Sequence, residues 1–216
     1  MVSEKINILK TNLPKNVTLV AVSKTKSSEI ILEANSKGHL DFGENKVQEL
    51  VQKYEVLPKN IRWHMIGHLQ SNKVKYIAPF VHLIHGVDSV KILKEINKQG
   101  LKNNKKINCL LQIHIAKEQN KFGFDLDEIK KFIQLEQHVL WKNIIIKGVM
   151  GMATFTENKN LVKKEFKILR SNFEELKKYF TEDFDTLSMG MSGDYKEAIL
   201  AGSNMVRIGS SIFGRR

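Results

Sequence analysis

Cysteine is almost absent from this chain: its 216 residues contain one, Cys109. A single thiol excludes a disulfide within the chain and any cysteine-based metal centre. Its place in the apolar run "INCLLQIHI" marks it as a buried structural thiol rather than a nucleophile. Long hydrophobic runs are absent too. Those present are short and broken by charge, far below the roughly 20 residues a membrane-spanning helix needs. The opening segment, "MVSEKINILKTNLPKN", mixes acid with base and lacks the apolar centre of a secretion signal. A cytoplasmic protein with no membrane partner is expected. There is no Gly/Ser/Pro-rich linker, no low-complexity tract and no shift in composition. Residues 1–216 therefore read as one domain, and a hydrophobic content of 42% is ample for its core.

What the chain has in surplus is positive charge, a formal +12. Such a surplus can serve an anion or nucleic-acid surface. Here the lysines are scattered among glutamates and asparagines on polar helix faces, as in "VKILKEINKQGLKNNKK". Arginine-rich arms, zinc-finger spacings and interleaved basic and aromatic stripes are missing, so nucleic acid is not an expected partner.

Short β-like runs alternate with helical patterns. The spacing predicts strands over 17–23, 39–43, 62–67, 83–87, 107–115, 144–152, 186–191 and 205–208. Between them, apolar residues recur at intervals of three and four, the period of amphipathic helices, as in "NKVQELVQKYEVL", "DLDEIKKFIQLEQHV" and "NLVKKEFKILRSNFEELKKYF". A further helix is expected over 4–13, and only a brief one in "SNKVKYIAP". Eight strand–helix units predict an α/β fold, a closed (β/α)8 TIM barrel of parallel strands. An open doubly wound sheet is the alternative, but no G-x-G-x-x-G follows the first strand.

In such a barrel the working residues sit at the C-terminal ends of the strands. That rule selects Lys24 after the first strand, Gly43, Glu44 and Asn45 after the second, and His64, His68 and Gln70 in and after the third. It also selects Ser192 and Gly193 after the seventh, and Arg207, Gly209 and Ser210 at the end of the eighth. The loops after strands seven and eight commonly hold phosphate, and both are small, hydroxyl-bearing turns here. Each also reads as an ordinary cap or tight turn, with Ser192 as an N-cap and Gly202 as a helix stop. Asp194 would oppose a phosphate if its side chain pointed inward. Alternation puts Val20, Val22 and Lys24 on one strand face and Leu19, Ala21 and Ser23 on the other. If the first face lines the barrel, Lys24 reaches the mouth from inside. There, desolvation and a cation such as Arg207 would favour the neutral amine that attacks an aldehyde. A lysine facing a phosphate cradle describes a pyridoxal phosphate site. Lys26, beyond the strand, is expected to be solvated.

Five motifs run in order along the chain: "AVSKTK", "FGENKVQEL", "WHMIGHLQSNK", "LSMGMSGDYKEAI" and "GSNMVRIGSSIFG". Together they resemble the YggS/PROSC family of pyridoxal phosphate homeostasis proteins, which is similar to the N-terminal barrel of alanine racemase. The resemblance implies a barrel carrying pyridoxal phosphate (PLP) as a Schiff base on Lys24. It implies that Ser192 of "MGMS" and the turn at Gly209 and Ser210 hold the phosphate, that Met191 also binds the cofactor, that Arg207 lies beside the pyridine nitrogen, and that Asn45 lies near the ring. Two positions depart from the family pattern. Lys46 follows "GEN" where an aromatic is usual, and Ser210 replaces threonine but keeps the hydroxyl.

An arginine can only donate, so the ring nitrogen beside it would stay unprotonated and withdraw electrons weakly. Racemisation also needs an acid/base on each face of the substrate. In alanine racemase the second is a tyrosine from a C-terminal domain, and the segment ending at Arg216 is expected to hold no counterpart. The expected function is therefore PLP homeostasis, with little or no catalysis. A monomer that passes PLP to apo-enzymes is the expected form. A single-domain amino-acid racemase is the alternative, followed by a cofactor-free sugar-phosphate enzyme using His64 or Glu44 as acid/base.

Overall fold

The computed structural model describes residues 1–118, 122–135 and 141–214. Eight parallel strands close into a barrel in sequence order: β1 Thr18–Val22, β2 Asp41–Glu44, β3 Arg62–Met65, β4 Leu83–Val87, β5 Ile107–Gln112, β6 Ile144–Met150, β7 Thr186–Ser188 and β8 Met205–Ile208. The expected TIM barrel is the fold. Strands β4 and β8 keep the expected bounds, and several others are shorter because the last residues of their runs sit in the loops of the mouth. Around them lie α1 Val2–Asn12, α2 Ser28–Ser36, α3 Val47–Val56, α4 Val74–Ile77, α5 Val90–Lys102, α6 Leu126–Gln134, α7 Lys159–Leu176 and α8 Tyr195–Leu200. A final short helix, α9 Ser210–Phe213, was not expected from the sequence. The helix expected in "DLDEIKKFIQLEQHV" is α6, and residues 136–139 of that stretch lie outside the described residues. Among the described residues no helix is long and apolar enough to cross a membrane.

Two layers of apolar side chains hold the fold. The larger lies between the outer face of the barrel and the helices. Leu19, Ala21, Phe42, Trp63, Met65 and Ile208 belong to it, one face of each strand. On α7, Val162, Phe166, Leu169, Phe173 and Leu176 are buried at intervals of three and four, the stripe that seats the helix on the sheet. Each large side chain so buried contributes roughly 1.5–3 kcal/mol. The smaller layer is inside the barrel and consists of Val20, Leu83, Leu110, Met150 and Met205. Val20 inside and Leu19 and Ala21 outside settle the parity of β1, and Lys24 follows two residues after its last residue, Val22.

Strand β6 breaks its own alternation. Ile144 and Ile146 of β6 pack outward, yet Val149 also packs outward and Met150 inward. The change occurs where the β5–β6 register shifts, from Cys109 opposite Ile146 to Leu110 opposite Gly148. The inserted residue makes a bulge that resets which side chains enter the barrel. Gly148 permits it, with φ of 148° and no room for a side chain: a Cβ there would lie 1.9 Å from the Thr186 carbonyl oxygen. Gly148→Ala is therefore expected to lower unfolding free energy by at least about 2 kcal/mol, through strain and clash. Urea denaturation measures it, and an unchanged midpoint would refute this account of β6.

Candidate functional site

Lys24 stands on a turn built by three ionic groups, Glu44 and Lys53 buried and Glu49 half-buried. After β1, the Lys26 N–H donates to the Ser23 carbonyl, closing a tight turn around Lys24 and Thr25. Thr25 has φ of 65°, a left-handed conformation unfavourable for a β-branched residue. The Glu49 carboxylate holds it there by accepting the Thr25 N–H. Beneath the turn, Lys53 on α3 donates to Glu44 Oε1 at 2.8 Å, to Glu49 Oε1 at 2.7 Å and to the Ser23 carbonyl at 2.9 Å. The Ser23 hydroxyl donates to Glu44 Oε1 at 2.6 Å. Burial pushes the Glu44 carboxyl above its ordinary range, although Lys53 and Ser23 pull it down. Among the described residues its Oε2 has no hydrogen-bond partner. Glu44 thus faces the helices and supports the turn instead of lining the mouth. Lys26, expected in solvent, is instead partly buried and donates to the Phe213 carbonyl at 3.2 Å. The last residue of α9 supplies that acceptor, which places this helix beside the β1 turn.

The turns after β7 and β8 meet. The Ser192 hydroxyl accepts the N–H groups of Gly209 at 3.2 Å and Ser211 at 3.4 Å, at the start of α9. Ser192 is not the expected N-cap: α8 begins after Asp194, two residues on. Asp194 bends back to accept the Met191 N–H at 2.6 Å, so its carboxylate is spent on its own turn. Gly202, with φ of 97°, ends that helix as expected. The decisive juxtaposition is between the first and last strands. Ala21 pairs with Ile208, which brings Val22 beside Gly209, where a Cβ would lie 3.2 Å from Val22. As a result Val22, Lys24, Gly209 and Ser210 line one hollow of about 100 Å³. Asn45 follows β2 at the same end, its backbone crowded by Gly67: a Cβ on Gly67 would come within 2.3 Å of the Asn45 carbonyl oxygen.

Below the mouth the barrel is crossed by a polar chain that sequence reasoning did not assemble. Arg207, buried in β8, donates to Ser188 Oγ at 2.6 Å and to the Gly151 carbonyl at 3.0 Å. Ser188 contacts His85 Nδ1 at 3.2 Å, His85 Nε2 contacts His64 Nδ1 at 2.9 Å, and His64 Nε2 contacts Asp41 Oδ1 at 3.1 Å. Arg62 closes the lower end on Asp41 Oδ2 at 2.5 Å. Burial pushes the Arg207 guanidinium down to about 10, with Asp194 resisting, so it is charged at neutral pH. Burial keeps His85 well below its usual value, hence neutral. Burial also works against the Asp41 carboxylate, but His64 and Arg62 hold it down to about 2. The ends dictate the hydrogens between them. Asp41 only accepts, so His64 carries its proton on Nε2. His85 then donates from Nε2, and Ser188 donates to His85 while accepting from Arg207. The missed members, Asp41, His85 and Ser188, are polar residues at inward positions of otherwise apolar strands, which is the signal that could have found them.

Residues 2–216 match the family of the alanine racemase N-terminal domain. A pyridoxal phosphate homeostasis protein of Vibrio alginolyticus is 40% identical over 208 residues, covering 94% of this chain and 88% of that one. Its counterpart in Aquifex aeolicus is 37% identical over 199 residues, covering 92% and 86%. The chain belongs to the pyridoxal phosphate homeostasis protein family. The PipY protein of Synechococcus elongatus, solved without PLP, superposes with a TM-score of 0.92 at 30% identity over 99% of this chain and 100% of that one. Its form with PLP bound superposes at 0.89. Alanine racemase of Bartonella henselae, at 18% identity and a TM-score of 0.74, shares the fold, and this chain spans 58% of its length.

The cluster under Lys24 makes a stability prediction. Lys53→Met leaves the Glu44 carboxylate buried without its cation and should cost about 3–5 kcal/mol in urea denaturation. Adding Glu44→Gln should recover part of that loss. Equal stability of the single and double variants would show that the pair does not act as described.

Proposed function

We propose that this chain binds pyridoxal phosphate at the barrel mouth, holds it covalently on Lys24 and yields it to apo-enzymes, with little or no catalysis of its own. The observation that carries the reading is the single hollow shared by Lys24, Gly209 and Ser210. The residues present fit the group. Two backbone N–H groups, of Gly209 and Ser211, already converge on one oxygen, that of Ser192. This is the donor set an anionic oxygen takes. Ser192 and Ser210 add hydroxyls, Met191 borders the same turn, and Asn45 follows β2, the strand beside β1. When bound, PLP supplies an aldehyde that condenses with a primary amine and releases water.

Each residue then has a separate task. Lys24 presents the amine from a turn that Glu49 and Lys53 keep in place. Arg207, fixed by Ser188 and Gly151, keeps further N–H donors for a ring nitrogen. Being a donor only, it leaves that nitrogen without a proton, and electron withdrawal through the ring is weak. That supports binding and release over amino-acid chemistry, as does the name of the curated relatives.

Adding PLP to the purified protein should produce a yellow absorbance that borohydride fixes, with the added mass on Lys24. Lys24→Ala should remove the adduct, and Ser192→Ala should weaken binding roughly tenfold, the worth of one hydrogen bond to a charged group. An adduct on Lys26 in the unaltered protein would overturn the assignment. The racemase alternative is separated by the α-hydrogen of alanine: in deuterium oxide it should exchange no faster with this protein than with free PLP. Exchange with turnover at about 1–1000 per second, the range of ordinary enzymes, would make the chain a racemase.

A further inference from the structure

The opposite end of the barrel holds a cluster that the PLP reading leaves unused. Asp41 opens β2, Arg62 and His64 lie in β3, and His82 immediately precedes β4, so all four belong to the floor. One oxygen of Asp41, one nitrogen of His64 and one of His82 lie within 4.8 Å of each other. Asp41 and His64 are buried and His82 is exposed. His64 and His82 meet edge to face, with ring centroids 5.3 Å apart. Among the described residues, neither ring nitrogen of His82 has a hydrogen-bond partner.

We propose that Asp41, His64 and His82 form a binding site for one divalent first-row transition ion, with zinc as the best-suited member. Two imidazoles and a carboxylate are the ligand set of many three-residue zinc sites, in which water takes the remaining position. The surroundings have the features such ligands require. The second nitrogen of His64 rests against His85 Nε2 at 2.9 Å, and the second oxygen of Asp41 is held by Arg62. Ligands whose far atoms are fixed in this way are oriented before the ion arrives. His82 gives the entry path. Zinc at 2.0–2.1 Å from each nitrogen needs donor atoms about 3.3 Å apart, so the site must close slightly. The exposed His82 ring can supply that movement. The cations nearby oppose binding. Arg62 is half exposed, so solvent and salt screen its charge while it stays on Asp41, and Lys105 is tied to the carbonyls of Pro79 and Val81.

Coordination through Nε2 obliges His64 to exchange tautomers. Its Nε2 proton leaves and Nδ1 gains one, so the ring stays neutral. Nδ1–H then donates to His85 Nε2. His85 must in turn carry its proton on Nδ1 and donate to Ser188, whose oxygen then accepts from both His85 and Arg207 while its own hydrogen turns away from His85. Two hydrogen bonds reverse direction and no net proton is lost from the rings. This inference does not rest on PLP binding at the mouth.

The test uses the untagged full-length chain, stripped of metal and free of PLP. Zinc titrated by calorimetry should bind one per chain, and cobalt should give visible bands of a four- or five-coordinate histidine site. His82→Ala, an exposed substitution that leaves the core intact, should weaken zinc at least about tenfold. Asp41→Asn should also weaken it, while Lys24→Ala should not. Nitrogen-15 spectra should show the His85 proton moving from Nε2 to Nδ1 on adding zinc. No saturable ion, equal affinity in His82→Ala, or a His64 Nε2 proton that persists with zinc bound would each overturn the proposal.

Discussion

The backbone pairing of β1 with β8 is the constraint on which the mouth depends. Without it the sheet has two open edges and the first and last strands stand apart. Its rungs run from Thr18 opposite Met205 to Ala21 opposite Ile208. Extending the register by one residue presses Val22 against Gly209, a contact that leaves no slack for a side chain at 209. One residue further, Ser210 begins α9, and its hydroxyl-bearing turn comes to the hollow that Lys24 enters. Ser192 then bridges from the neighbouring β7 turn by accepting from both Gly209 and Ser211. A lysine and two hydroxyl-bearing turns remote from it in sequence thus become neighbours through one ladder of hydrogen bonds.

The interior of the barrel is organised by charge as much as by packing. A purely aliphatic interior would specify volume only. Here Asp41 accepts at the floor and Arg207 donates near the mouth, so every hydrogen bond between them has one permitted direction. Burying such a chain costs desolvation of each group, and the cost is offset only when every donor finds an acceptor. Ser188 illustrates the economy. Its single oxygen takes a hydrogen from Arg207 and gives its own to His85. Arg207 is therefore held at two points, Ser188 and the Gly151 carbonyl, before anything enters the mouth.

Much of this was legible in the sequence. The eight alternations predicted the barrel, since periods of 2 and 3.6 are what strands and helices impose on burial. Parity along β1 predicted that Lys24 shares a face with Val20 and Val22. The misreadings have physical causes. Ser192 resembled an N-cap, but Asp194 takes that place and spends its carboxylate on the Met191 N–H. Lys26 looked solvated because its acceptor, the Phe213 carbonyl, is remote in sequence. The β6 bulge was invisible because a glycine in "IIIKGVM" does not announce which neighbour it must avoid. The polar chain is the same kind of case. Asp41, His64, His85 and Ser188 come from four strands, and only closure of the barrel makes them consecutive.

The turn carrying Lys24 makes the last point. A buried ion pair is weak support for stability, because the same volume filled by apolar groups is often as stable. Lys53 and Glu44 are buried nonetheless, and Glu44 keeps one oxygen without a partner among the described residues. Thr25 next to them sits in a conformation that costs on the order of 1–3 kcal/mol. Strain of that kind persists only where surrounding contacts over-determine it. The contacts here are the Glu49 carboxylate on the Thr25 N–H and the Lys53 ammonium on the Ser23 carbonyl. Both anchor the backbone on either side of Lys24 while their own charges stay on the helix side of the sheet. An arrangement that gives up stability to hold one backbone turn makes sense if the position of the Lys24 amine is what it secures.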